Sequence, residues 1–159
     1  MPVDLPVPDV SADDHMLSRG DIPPLGSHLV TPRFVFNHHG IYVGCGRVVH
    51  YGSLMRSPPG GPVREVSLEC FAQGHPVWIR SHALPRFRRL EVIRRARARI
   101  GENSYRLLSH NCEHFCEWCL YGEPRSHQVG KPQLIPLVAR LFRGAARRWQ
   151  TTLSDRIES

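Results

Sequence analysis

The residues best able to do chemistry in this chain are its thiols and imidazoles: five Cys, at 45, 70, 112, 116 and 119, and ten His. An odd number of cysteines without an export signal points to reduced thiols in a cytosol-like compartment, not to a disulfide framework. The question is then which thiol reacts. Cys112 opens the run NCEHFCEWCLY, which reads as a helix capped by Asn111 and ended by Gly122. A thiol at that position meets unpaired N–H groups and the positive end of the helix dipole, and both favour thiolate. A nucleophilic cysteine needs such a place. The position alone is weakly specific, because buried cysteines commonly act as small hydrophobes.

Cys116 and Cys119, together with His110 and His114, invite a zinc reading. Structural zinc sites usually draw ligand pairs from two separated segments. One short helix cannot wrap its own side chains tetrahedrally around an ion, so Cys116 and Cys119 are read as packing residues. No metal or cofactor is expected.

A nucleophilic thiol also needs a base. His38, His39 and His50 lie in the clearest hairpin of the chain, HHGIYV and RVVHY around Gly44-Cys45-Gly46. Side chains alternate faces along a strand, so loop length decides which pair can cooperate. A two-residue Cys45-Gly46 loop sets Ile41 opposite His50 and puts His39 on the His50 face. A three-residue loop sets Gly40 opposite His50 and lines one face with His38, Tyr42 and His50. The flanking glycines favour the second.

Further elements must position these groups. His28–Thr31, ended by Pro32, reads as a strand, as do Val63–Leu68 and Pro76–Ser81. Residues 55–62 read as a loop. From Arg88 to Ile100, Leu90, Ile93, Ala96 and Ile100 recur near the helical period, with Gly101 as a stop. Residues 1–19 read as a mobile tail, 20–130 as one catalytic domain and 131–159 as a basic amphipathic helix. In 132–154 the apolar stripe runs from Leu134 to Trp149. Such a stripe more often docks on its own domain; the sharper reading lays it on an anionic bilayer.

The chain has 159 residues, one domain's worth, and folding at that size buries roughly 70 % of the unfolded surface. Apolar content of 41 % and charged content of 22 % exclude wholesale disorder. No run approaches the roughly 18 apolar residues of a membrane span, and the first twenty residues lack the pattern of a secretory signal. A cytoplasmic location is expected, with peripheral contact at a membrane through 132–154. The net charge of +7 is almost entirely arginine and is local. Residues 86–106 hold eight Arg against Glu91 and Glu102, and 131–159 hold six basic groups against Asp155 and Glu158. The arginines come without interleaved aromatics or a recognition motif, so nucleic acid is not the expected partner.

HHGIYVGCGRVVHY followed far downstream by NCEHF resembles the lecithin retinol acyltransferase-like family, and is most similar to its short bacterial members. The family pattern is a His, a Tyr four residues on, a glycine-containing turn, a second His twelve after the first, and a later Asn-Cys-Glu-His-Phe. Here these are His38, Tyr42, Gly44 and Gly46, His50, and Asn111 to Phe115. The resemblance covers about 20–121. It implies an α+β fold: a small antiparallel sheet packed on helices, in a circularly permuted papain-like (NlpC-type) arrangement with the nucleophile at a helix N-terminus. It also implies Cys112 as nucleophile, His38 as base, and His50 as the orienting third member, which selects the three-residue loop. His39 stands where an aromatic residue often follows the first His. The implied activity is acyl transfer or hydrolysis through an acyl-Cys112 thioester on phospholipid-like esters, with Tyr42 and Asn111 as further oxyanion or substrate contacts. The wider superfamily offers a cysteine amidase or peptidase as the alternative, and a non-catalytic binding module would keep the same fold.

Overall fold

The computed structural model describes residues 10–33, 36–52, 61–103 and 112–123. The Asn111 cap, His110, the loop at 55–60, the first part of the tail and the whole 131–159 segment lie outside the described residues.

The protein is α+β, built on one antiparallel sheet in the order β1-β6-β2-β3-β4-β5. Its strands are β1 (His15–Met16), β2 (His28–Pro32), β3 (Asn37–Gly44), β4 (Arg47–Gly52), β5 (Gly61–Ser67) and β6 (Trp78–Ile79). Helix α1 spans Leu68–Ala72, α2 Arg89–Ala98 and α3 Cys112–Tyr121. Central strands β2 and β3 are buried almost throughout, as expected of strands covered on both faces. Alternation along β3 and β4 divides the core. Ile41, Val43, Val49 and Tyr51 pack with Val92, Ile93 and Ala96 of α2 and with Cys112, Phe115, Cys116, Cys119 and Leu120 of α3. Tyr42 and Val48 pack on the other side with Leu29, Val77 and Phe71 of α1.

The β3–β4 hairpin combines features of both loop readings. Gly40 pairs with His50, Ile41 with Val49 and Tyr42 with Val48, which is the three-residue register. The ladder then shifts between Tyr42 and Gly44, and Gly44 pairs with Arg47. The turn proper is two residues, Cys45 and Gly46, both at positive φ (49° and 66°) as a type I′ turn requires. The irregularity at Val43–Gly44 absorbs the extra residue.

Three elements differ from the sequence reading. Part of the expected tail is built into the sheet: β1 pairs with β6, and Asp14 accepts the Ser81 N–H at 2.9 Å. Helix α1 follows β5 directly, with Ser67 accepting the Cys70 N–H as its N-cap. On α2 the buried residues are Val92, Ile93 and Ala96, while Leu90 is 73 % exposed and Ile100 lies beyond the helix. The aromatic rings facing α2 explain its orientation. Arg95 lies 4.3 Å from the Phe87 ring and 3.8 Å from that of Trp118, and Arg99 lies 4.0 Å from Trp118. Turning Leu90 inward would sacrifice these stacks.

Candidate active site

β3 and β4 bring His38 and His50 together. His38 Nε2 lies 2.9 Å from His50 Nδ1, with the rings nearly perpendicular. Phe71 of α1 covers both, with ring centroids 5.2 Å from His38 and 5.8 Å from His50. Gly40 makes the approach possible. A Cβ there would stand 2.6 Å from Val48 Cγ1 and 2.9 Å from Phe71 Cε2.

Cys112 begins α3 and belongs to the core on the opposite side of the sheet from Phe71. Its Sγ lies 3.8 Å from the Asn37 carbonyl, at the start of β3 and one residue before His38. The thiol and the imidazole pair therefore reach the same end of β3 from its two faces. The thiol donates to the Asn37 carbonyl and not to His38.

All three groups are neutral at physiological pH. Burial pushes the Cys112 thiol up to about 12, and the backbone N–H groups of His39, Cys112 and Glu113 only partly offset it. The lowered thiol pKa expected from the helix terminus is thus outweighed by desolvation. Burial, then His50, Arg33 and His39, hold His38 well below the usual histidine range. His50 is lowered to about 4, chiefly by burial. Arg33 is the buried cation beside them. It donates to the Phe71 carbonyl at 2.5 Å and to the Pro32 and Ala72 carbonyls at 3.0 and 3.3 Å. Burial lowers its own pKa, and the Cys112 sulfur partly restores it.

Other residues singled out in the sequence have different surroundings. Tyr42 accepts the Gly46 N–H at 3.1 Å, so its hydroxyl braces the hairpin turn, four residues along β3 from His38. Cys116 and Cys119 are buried packing residues, whereas Cys45 and Cys70 are exposed. His39 points into the α3 side of the sheet, its Nδ1 2.8 Å from His28 Nε2. His28 Nδ1 in turn lies 2.8 Å from His82 Nε2. Sequence reasoning passed over His28, His82, Arg33 and Phe71, none of which stands in a local motif. Among the described residues no helix is long and apolar enough to cross a membrane.

Comparison with known proteins identifies the family. The family model described as lecithin retinol acyltransferase matches residues 22–125. Lecithin retinol acyltransferase of Rattus norvegicus is 33 % identical over 140 residues, covering 71 % of this chain and 58 % of that protein. The Homo sapiens protein of the same name is 31 % identical with the same coverage. Phospholipase A and acyltransferase 2 of Homo sapiens is 30 % identical over 141 residues, covering 78 % of this chain and 87 % of that one. The chain thus spans little more than half the length of the lecithin retinol acyltransferases it matches. With a family model matched over 22–125 and relatives about 30 % identical over most of its length, the chain belongs to the lecithin retinol acyltransferase family.

Proposed function

We propose that the chain is a cysteine-dependent acyltransferase or lipase that takes an acyl group from a phospholipid-like ester through a thioester on Cys112. The observation that carries this reading is the buried His38–His50 pair on the strand whose backbone the Cys112 thiol touches. The names of the relatives, acyltransferases and a phospholipase, support the substrate class.

The resting neutrality of the groups gives the order of steps. His38 Nε2 is engaged by His50, which leaves Nδ1 as the ring nitrogen for proton transfer. For Nδ1 to be basic, Nε2 must carry the proton and donate it to His50 Nδ1. His50 is then the positioning residue that holds the useful tautomer of His38. With the thiol near 12 and the imidazoles neutral, no preformed thiolate–imidazolium pair is required; the thiol proton passes to His38 as sulfur attacks, which requires the thiol to leave the Asn37 carbonyl and meet His38 at that end of β3. Attack on the ester carbonyl gives a tetrahedral oxyanion; collapse expels the alcohol, which takes the proton from His38. An acceptor alcohol, amine or water then gives its proton to His38 as its oxygen or nitrogen bonds to the thioester carbonyl carbon; the C–S bond breaks, and the Cys112 sulfur takes the proton back from His38. The backbone N–H groups of Cys112 and Glu113, which face the Cys112 sulfur, serve as the oxyanion donors in this reading.

The test is intact-mass spectrometry of the full chain after incubation with phosphatidylcholine vesicles, with a peptide substrate in parallel. An acyl adduct from the lipid, mapped to Cys112 and absent in Cys112→Ala, is expected. An adduct from the peptide alone would move the chain to the amidase reading. Acylation that persists in Cys112→Ala would remove the thiol from the mechanism.

A further inference from the structure

On the side of the sheet away from the His38–His50 pair, three residues far apart in sequence converge. His28 opens β2, His82 follows β6, and Glu117 sits in the middle of α3. His28 Nδ1 is 4.0 Å and His82 Nδ1 3.8 Å from Glu117 Oε1, and His28 Nδ1 is 2.8 Å from His82 Nε2. One donor atom from each residue fits within a 4.8 Å span. We propose that these three residues bind a divalent metal ion of the zinc class.

A tetrahedral ion with bonds of roughly 2.0–2.1 Å holds its ligands about 3.3 Å apart; with His82 donating through Nε2, the His28–His82 separation is 2.8 Å and the His28–Glu117 separation 4.0 Å. The donor set, two imidazoles and one carboxylate, suits Zn²⁺, Co²⁺ or Ni²⁺ better than Mg²⁺ or Ca²⁺, which prefer all-oxygen shells. The surroundings resemble those of a built site. His28 is oriented through its second nitrogen by His39, as metal-bound histidines usually are by an outer partner. Tyr121 Oη lies 3.3 Å from His82 Nδ1. The nearby carboxylate Glu113 is paired with Arg80 at 3.2 Å and so does not compete for the ion. A cavity of about 250 Å³ is lined by both His28 and His82.

Binding would replace the hydrogen bond that joins the two imidazoles. Each ligand must be unprotonated, so affinity falls with acid. The ion would tie β2, the segment after β6 and α3 together, and α3 is the helix that begins with Cys112.

The experiment uses the full chain, stripped with chelator and titrated with Zn²⁺ and Co²⁺ against a chromogenic competitor. One equivalent is expected, with a rise in melting temperature. Affinity should fall about tenfold or more in His82→Ala and Glu117→Gln, at least as much as loss of an outer-shell partner costs. The cobalt form should show ligand-field absorption without thiolate charge transfer. X-ray absorption at the zinc edge of the unaltered protein should show nitrogen and oxygen neighbours and no sulfur, which keeps the proposal testable if a variant misfolds. Sulfur ligation, less than one equivalent at micromolar protein, or unchanged affinity in folded His82→Ala would overturn it.

Discussion

The side chains around Cys112 describe a thiol at rest. Desolvation and the Asn37 carbonyl favour the protonated form, and three backbone N–H groups do not reverse that balance. Alkylation follows the thiolate, so Cys112 should react with iodoacetamide more slowly at pH 7.5 than exposed Cys45 or Cys70. Peptide mapping of a time course measures all three rates at once; a Cys112 rate equal to or above the exposed pair would mean a preformed thiolate. The two adjacent histidines should also separate by readout. His38→Ala removes the base, and turnover should fall roughly 10²- to 10⁴-fold. His39→Ala leaves that site intact but strips the buried His28 Nε2 of a 2.8 Å partner, a loss of about 1–3 kcal/mol in stability. Turnover measured beside chemical denaturation distinguishes them, and equal losses of turnover would reject His38 as the base.

At the scale of elements, the hairpin positions the histidine pair and α1 holds it in place. Gly40→Ala should push Phe71 or Val48 aside, cost about 1–3 kcal/mol and lower turnover while Cys112 stays untouched. Denaturant midpoints and turnover on the same preparation check this; a variant with normal turnover would show that Phe71 does not hold the imidazoles. The hairpin was legible in the sequence because glycines and alternation act over a few residues. α3 was legible through its terminal signals, Asn111 before it and Gly122 after it. Helix α1, five residues long, is too short for a helical period to register, and β1 and β6 contribute two paired residues each. Their places are set by partners distant in the chain. The α2 stripe was misread at Leu90 because cation–aromatic stacking on Phe87 and Trp118, not hydrophobicity alone, orients that helix. The cluster of His28, His82 and Glu117 had no local signature, since only the tertiary fold brings positions 28, 82 and 117 together.

Across the whole molecule, charge is used internally more than the net +7 suggests. On and just after α2, Arg94 pairs with Glu91, Arg97 with Glu65 and Arg99 with Glu102, and Arg95 lies between two aromatic rings. The more consequential electrostatic feature is the burial of neutral imidazoles. His38 and His39 are held well below the usual histidine range and His50 at about 4, chiefly by burial. In the unfolded chain each binds a proton near pH 6.5, but in the folded chain His50 does so only near pH 4. Within that window the unfolded state holds more protons, so stability is complete above about pH 6.5 and falls as pH drops toward 4. For His50 alone the loss is on the order of 3 kcal/mol, a large fraction of the roughly 5–15 kcal/mol typical of a folded domain. Glu65, pulled down by Arg97, loses its contribution only below the usual carboxylate range, so the histidine window comes first on acidification. Melting temperature measured by circular dichroism should therefore decline steadily between pH 6.5 and 4.5, and His50→Gln should flatten that slope. A melting temperature constant down to pH 4.5 would mean that the imidazoles bind protons in the folded state as readily as in the unfolded chain.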